Sequence, residues 1–301
     1  MAQYDNIALD YQEIAGTEPY REAEWYSLRL RLGNLTGLSV LDLACANGLC
    51  SRRLKQWGAA RVVGVDISAQ MIRLAQQQEH AQPLGIEYRV ADAAVLGKIG
   101  EFDRVTASYF LHYAQSREQL FHMVQTVYDN LKPGQYFVAS NANPHQPPQP
   151  ILDHRKYGFM ERLMDEPLHE GSRIRVTLFL GEKTVEFDIY WTPWVIYEEA
   201  FRTVGFRSWK SEPYLIPPDV ERKYSEGFWD EYIATPSARH SAAHPQRGGH
   251  QTRAGPYHAR AFAGQRRGRC LAHCDCGGER DALPAHLELH PYRERGHPQR
   301  Y

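Results

Sequence analysis

Short runs rich in β-branched residues recur along the chain at Val40–Leu43, Arg61–Val65, Glu87–Val90, Arg104–Ala107 and Tyr136–Ser140. Runs of this length and composition read as strands. Helical spacing fills several of the gaps. Cys50, Leu54 and Trp57 fall at i, i+4 and i+7, and Leu120, Val124, Val127 and Leu131 carry the same period behind a Ser116-x-x-Gln119 capping box. Ser68 stands where an N-cap belongs, ahead of Met71, Ile72 and Ala75. Strands alternating with helices predict an α/β fold whose sheet is mostly parallel and covered on both faces. Right-handed crossovers make such a sheet doubly wound, and its ligand sits at the carboxyl ends of the strands, at a switch point in strand order.

From about residue 170 the pattern changes. Arg173–Leu180 and Thr184–Trp191 flank Gly181-Glu182-Lys183 as a hairpin, followed by a helical pattern over Tyr197–Val204 and an extended run, Phe206–Tyr214. The proline-rich stretch Asn143–Pro150 reads as a loop. Antiparallel strands are therefore expected to join the sheet toward its C-terminal side. Upstream, Glu22–Leu32 predicts a helix with Trp25, Leu28 and Leu32 on one face, placed to fold over the mouth of the site.

Composition then divides the chain. Residues 1–233 hold 24 Lys and Arg against 31 Asp and Glu, a balance that argues against a nucleic-acid partner. Residues 234–301 hold 11 Arg, no Lys and 8 of the 14 histidines, with very few large apolar side chains. Too little apolar surface remains there to offset the entropy of ordering. We expect one folded domain over 1–235 (core 38–142, substrate part 143–235) and a disordered Arg/His/Gly/Pro-rich tail over 236–301. The tail admits three readings: a coding sequence read in a shifted frame after about Thr235, which the composition favours, a genuine basic arm, or a metal or nucleic-acid module. Cys270, His273, Cys274 and Cys276 lack a second ligand pair at zinc-finger spacing, so no metal site is assigned. No apolar run approaches the roughly 18–20 residues of a membrane span, and MAQYDNIALDYQ lacks the features of a signal peptide. The expected location is the cytoplasm, with no membrane partner and the five cysteines as thiols. No pattern sets an oligomeric state.

Candidate chemistry gathers at the strand ends. The first strand runs into Asp42-Leu43-Ala44-Cys45-Ala46-Asn47-Gly48, where small residues let the backbone turn sharply against a ligand. Asp42 suits a cationic or hydrogen-donating group. Asp66 closes the second strand, where a carboxylate accepts hydrogen bonds from both ribose hydroxyls. Asp92 closes the third, placed to accept from an exocyclic amine. Any one of them reads equally well as a helix cap or turn residue. Three at successive strand ends point to one crevice. A dinucleotide fold shares Asp66 but wants G-x-G-x-x-G, which Ala44–Leu49 matches poorly, and no Walker-type loop is present.

VLDLACANG, VVGVDIS followed by Met71, EYRVADAA, FDRVTASYFLHY and NLKPGQYFVAS occur in that order. Together they resemble the successive motifs of class I S-adenosylmethionine-dependent methyltransferases, over about residues 1–233. YDNIALDY, Pro19-Tyr20-Arg21 and the C-terminal hairpin look nearest to small-molecule members of the toxoflavin-biosynthesis type. The resemblance implies a Rossmann-like methyltransferase fold and S-adenosylmethionine as cofactor. It implies that Asp42, Ala44, Ala46 and Gly48 hold the amino-acid end, Asp66 the ribose, Ile67 the adenine face, and Asp92 with Ala93 the adenine edge. Tyr109 lies near the methionine portion, Tyr11 and Arg21 close over the cofactor carboxylate, and Met71 joins the site or packs in the core. One departure is that the family's turn commonly has Gly where this chain has Ala44 and Ala46, which is expected to constrain the turn. Methyl transfer needs alignment and exclusion of water more than acid–base machinery. Where a proton must leave, His112 or Tyr113 is the nearest base, and a structural role for His112 weighs as much. The acceptor is expected among Tyr157, Phe159, Phe179, Phe187, Tyr190, Trp191 and Trp194, and to be a planar or hydrophobic small molecule, such as a secondary metabolite, methylated at O, N or C. An inactive or cofactor-binding-only protein and, less favoured, an NAD(P)-dependent oxidoreductase are the rival readings.

Overall fold

A computed structural model of the chain describes residues 2–14 and 16–245. Strands β1 (Ser39–Leu43), β2 (Arg61–Asp66), β3 (Ile86–Val90), β4 (Phe102–Ser108) and β5 (Leu131–Ala142) pair in parallel as β5-β4-β1-β2-β3. The strand order reverses between β1 and β4. A crevice opens at such a point because the helices that follow the two strands leave to opposite faces.

Alternation along β1 assigns those faces. Val40 faces a cluster built by α2 (Pro19–Leu32), α3 (Leu49–Gln56) and α4 (Ala69–Ala81), which includes Trp25, Leu28, Leu32, Leu54 and Ile72. Leu41 and Leu43 face α5 (Arg117–Asp129) and α6 (Trp194–Val204) through Leu120, Val124, Val127 and Phe201. The helix starts follow their expected caps: Ser68 Oγ accepts from Met71 N at 3.1 Å, and Ser116 Oγ accepts from Gln119 N at 3.2 Å. Leu131, which shares the α5 period, instead opens β5. No helix among the described residues is long and apolar enough to cross a membrane.

Three expectations are corrected. The hairpin of β8 (Arg173–Leu180) and β9 (Lys183–Tyr190) does not join the main sheet. With β6 (Ile151–His154) and β7 (Phe159–Leu163) it forms a second, four-stranded antiparallel sheet. The reason is patterning: one face of this meander is apolar enough to need a cover of its own, and it packs on Ile14, Tyr20, Trp229 and Tyr232. The antiparallel members expected in the main sheet are present as β10 (Phe206–Pro213) and β11 (Ala238–Pro245), and the second correction concerns where the fold ends. β11 lies between β10 and β5, so the folded unit runs past 235 and the tail cannot begin at 236. Its eight residues include no large aliphatic, and its small ones fit a crowded position: Ala243 is fully buried with Phe137 opposite on β5 and Trp209 opposite on β10. The rest of the expected tail, 246–301 with its cysteines, lies outside the described residues. Third, α2 places its Trp25–Leu28–Leu32 face in the core and reaches the pocket at its first turn with Tyr20 and Arg21, where Tyr4 and Tyr11 of the N-terminal segment with α1 (Ala8–Ile14) line it too.

Candidate functional site

The turn after β1 is held in a conformation that glycine favours. Ala44 has φ 55° and Ala46 φ 48°, and Gly48 follows at φ 83° as the residue before α3. Two alanines in the left-handed region store strain, and such strain concentrates at functional sites. Asp66 holds the turn in place: Oδ2 accepts from Ala46 N at 2.9 Å and Oδ1 from Ser68 N at 2.8 Å. Each oxygen keeps a second lone pair for a ligand hydroxyl. Burial raises Asp66 to about 6 against the pull of those two N–H groups. Asp42 sits behind the turn, completely buried, with Oδ2 accepting from Ser51 Oγ at 2.6 Å and Oδ1 unpartnered. Desolvation pushes it up to about 7.

Tyr11, Arg21, Ala44, Ala46, Asp66, Tyr109, His112 and Tyr113, eight of the expected residues, line one pocket. Gly48, Ile67, Asp92 and Ala93 lie on the same strand-end edge outside its wall; Ile67 is 54% exposed, and Asp92 Oδ1 accepts from Ala94 N at 2.8 Å. Met71 is fully buried with Ala8 and Leu74 and packs against Ala46 from beneath. It supports the turn and does not line the pocket. Tyr4 and Tyr11 roof the pocket edge to face, and the Tyr4 and Tyr113 hydroxyls are hydrogen-bonded. Arg21 donates to Glu24 Oε2 at 2.7 Å and lies 3.8 Å from Glu18. Its buried Nε makes no hydrogen bond and faces Glu18, so the guanidinium is held between two carboxylates. Tyr109, at φ 65°, sets its ring 5.2 Å from the Arg21 guanidinium.

The far wall is the second sheet. Phe159, Val176, Leu178, Phe187 and Ile189 face the pocket, and one carboxylate, Glu161, stands among them. Of the other expected aromatics, Tyr190 and Trp191 line an adjoining pocket that shares His112 and Glu161. Tyr157 is core, stacked on Trp229, and Trp194 stacks on His145 at 4.2 Å. Burial raises Glu161 to about 7. Sequence reasoning missed Glu161, although its alternation was visible: Phe159-x-Glu161-x-Leu163 puts an acid in an apolar row.

Neither expected base is well placed. His112 Nδ1 accepts from Ala142 N at 3.2 Å, which uses its lone pair and puts the ring proton on Nε2. Burial lowers His112 to about 3, so it faces the site as a neutral hydrogen-bond donor. Burial raises the Tyr113 phenol far above its usual range. Among the described residues no cluster of His, Cys, Asp or Glu is arranged to hold a metal.

The methyltransferase-domain family matches residues 40–134, the span from β1 into β5. The chain is 29% identical over 147 residues to a ubiquinone biosynthesis O-methyltransferase of Coxiella burnetii, covering 48% of this chain and 61% of that protein. It is 28% identical over 138 residues to a demethylmenaquinone methyltransferase of Lactococcus lactis, covering 44% and 53%. A solved S-adenosylmethionine-dependent methyltransferase from Mesorhizobium loti superposes with a TM-score of 0.55 at 25% identity, over 74% of this chain and 97% of that one. The matches to the two curated relatives thus span little more than half of each, whereas the structural likeness spans the whole solved chain. The strand order, the acid-bearing turn at its switch point and these likenesses agree: residues 40–134 form a methyltransferase domain, and the chain resembles class I S-adenosylmethionine-dependent methyltransferases.

Proposed function

We propose that this protein transfers the methyl group of S-adenosylmethionine to a planar, largely apolar small molecule bound against the inner face of the second sheet. The observation that carries this reading is the continuity of one pocket from Ala44, Ala46 and Asp66 to Phe159, Val176 and Ile189. Cofactor and acceptor must share one water-poor space for an in-line displacement. The residues fit the cofactor. Asp66 keeps free lone pairs for a ribose diol, and Arg21, the cationic side chain in the pocket wall, suits an amino-acid carboxylate. Buried carboxylates at 18, 24, 42 and 66 outnumber Arg21, which suits a cationic ligand and repels a pyrophosphate, the group an NAD(P) reading requires.

When bound, S-adenosylmethionine supplies a methyl group already activated by its sulfonium. The chain's own residues do the rest. Asp66 fixes the ribose end, the strained turn fits the backbone against the ligand, Tyr4 and Tyr11 exclude water, and His112 Nε2–H orients a polar atom of the acceptor. The O-methyltransferase relative supports oxygen as the atom methylated, and the aromatic wall supports a secondary metabolite with a ring. YDNIALDY and Pro19-Tyr20-Arg21 support placement beside the toxoflavin-biosynthesis type, and we place the protein in the cytoplasm as a small-molecule enzyme. Calorimetry with S-adenosylhomocysteine, followed by labelled S-adenosylmethionine and a metabolite extract, tests this. Tight binding and a labelled small molecule are expected. Binding with no label on any metabolite would favour a cofactor-binding-only protein, and no binding would remove the reading altogether.

A further inference from the structure

We propose that Glu161 is the proton acceptor for the methyl-accepting atom, and that the acceptor is a planar ring bearing an acidic hydroxyl, a phenol or enol; this rests on the methyl-transfer reading above.

The placement of Glu161 is the first ground. On β7, Phe159, Glu161 and Leu163 share one face of the strand. Leu152 on β6 and Val176 on β8 stand directly opposite Glu161, and Phe187 stands opposite Val176 on β9. A carboxylate in an apolar row breaks the pattern that the rest of this face obeys. Such breaks without a structural compensation mark functional positions. No compensation is present among the described residues: Glu161 has no hydrogen bond and no ion pair, and burial is the sole influence on its proton affinity. It lines both the cofactor pocket and the pocket beneath loop 143–149, so it stands where the two meet.

The second ground is elimination within the pocket. The lone pair of His112 is used by Ala142 N, the Tyr4 and Tyr113 hydroxyls bond each other, and Asp66, pinned by two backbone N–H groups, keeps its remaining lone pairs for the ribose on the reading above. Glu161 is the carboxylate left free. Its proton affinity selects the acceptor. A carboxyl at about 7 lies some three units below an ordinary phenol at about 10, a gap that proton transfer concerted with methylation can cross. An aliphatic alcohol, nearly as weak an acid as water, is out of reach.

In the step, the acceptor O–H bond breaks and its proton goes to a Glu161 carboxylate oxygen. The acceptor oxygen forms the new bond to the methyl carbon as the carbon–sulfur bond breaks, and that electron pair stays on sulfur to give neutral S-adenosylhomocysteine. Glu161 returns its proton to solvent when product leaves. The titratable groups around Glu161 are His112, His154 on β6, Tyr232 and Tyr190, with Arg21 and Asp66 toward the cofactor end. Burial keeps His112 and His154 neutral near pH 7 and Tyr232 protonated, and Arg21 is paired with Glu24. Asp66, at about 6, is the other group able to impose an inflection in this range, and it is untouched in a Glu161 variant.

The test pairs binding with rate. The protein saturated with S-adenosylhomocysteine is titrated at pH 8 with phenol and with its methyl ether, anisole. Wild type should prefer the phenol by about tenfold, and Glu161→Gln should lose that preference. With S-adenosylmethionine and a panel of phenols, wild-type kcat/KM should rise with pH and level off above about 7. Glu161→Gln should be slower by about 10²–10⁴-fold without that rise, and Glu161→Asp, which guards against a misfolded Gln variant, should recover part of the rate and keep an inflection. A Gln variant with the wild-type rise and rate would overturn the assignment, as would equal methylation of aliphatic alcohols. If S-adenosylhomocysteine does not bind at all, the methyl-transfer reading and this proposal fall together. If it binds and the phenol preference is absent, the role of Glu161 falls alone.

Discussion

The two ends of the pocket are built on opposite principles. At the cofactor end, residues 42–48 and 66 come from two neighbouring strands, and backbone or hydroxyl donors meet nearly every carboxylate oxygen. At the acceptor end, the wall comes from β7, β8, β9 and the approach to β11, and its single carboxylate meets no donor. A ligand common to a family can be held by a short, rigid and satisfied turn. A ligand particular to one enzyme is met by a surface whose polar group stays bare until the ligand arrives. The bare group is the one with chemistry left to do.

That contrast fails first if β11 is not integral to the acceptor half. Ser237 and Ala238 line the pocket, and Ala243 is fully buried within the main sheet. Ala243→Asp in the full chain places an unpaired charge between Phe137 and Trp209. The expected cost is at least about 3 kcal/mol, with a melting temperature roughly 6–12 °C lower. A melt unchanged by this substitution would show that 238–245 does not take part in the sheet.

The next largest effect belongs to the cofactor end. Asp66→Ala removes the acceptor we propose for ribose and leaves Ala46 N and Ser68 N bare, so S-adenosylhomocysteine affinity should fall by about 1.5–3 kcal/mol. The sign with pH follows from burial: Asp66 is protonated below about 6 and then loses acceptor capacity. Affinity measured by calorimetry should therefore weaken as pH falls through that value. Equal affinity at pH 5 and 8 in wild type would take Asp66 out of cofactor binding.

What could be read from the chain follows the same division. Asp42, Ala44, Ala46 and Asp66 were legible because strand ends and turns are local events, fixed by residues a few positions apart. The second sheet was half legible. Its hairpin shows in Gly181-Glu182, but membership in a separate sheet depends on β6 and β7, which are too short to show a period of their own. β11 was hidden because alanine and histidine carry no strand signature, and only the space between β5 and β10 makes small residues the right choice. The engagement of His112 was hidden for a similar reason, since the hydrogen bond from Ala142 N spans 30 positions. No sequence pattern announces it.

A third measurement separates the ends by stability. Glu161 has its carboxyl raised from 4.5 to about 7 on folding, so the folded protein binds this proton more tightly than the unfolded chain. Its contribution is therefore neutral below 4.5 and becomes a growing cost as pH rises through about 7. Glu161→Gln carries no such cost. At pH 8 it should be more stable by about 1–2 kcal/mol, discounted for its opening on the pocket, and at pH 4 the two proteins should melt together. A Gln variant that is less stable at pH 8 would mean that Glu161 has a structural partner, against the contrast drawn above. Higher stability together with lost activity is the signature of a group kept for chemistry.

The smallest effect tests whether the cofactor turn is as well satisfied as it looks. Ala46 at φ 48° sits where an L-residue is strained by about 1–2 kcal/mol, and glycine would remove that strain. Two terms oppose the gain. Glycine frees the unfolded chain by about 0.4–1 kcal/mol, and the Ala46 methyl loses its packing against the cluster of Ala8, Met71 and Leu74. The balance should lie between zero and about 1 kcal/mol in favour of Ala46→Gly, a rise in melting temperature of at most a few degrees. Affinity for S-adenosylhomocysteine should be unchanged or slightly tighter, because Asp66 bonds to the Ala46 N–H and not to its side chain. A large loss of affinity would show that the methyl group itself, wedged over Met71, holds the turn in its binding shape. The cofactor end would then depend on side-chain packing as much as the acceptor end does, and the division between a backbone-built wall and a side-chain-built wall would no longer hold.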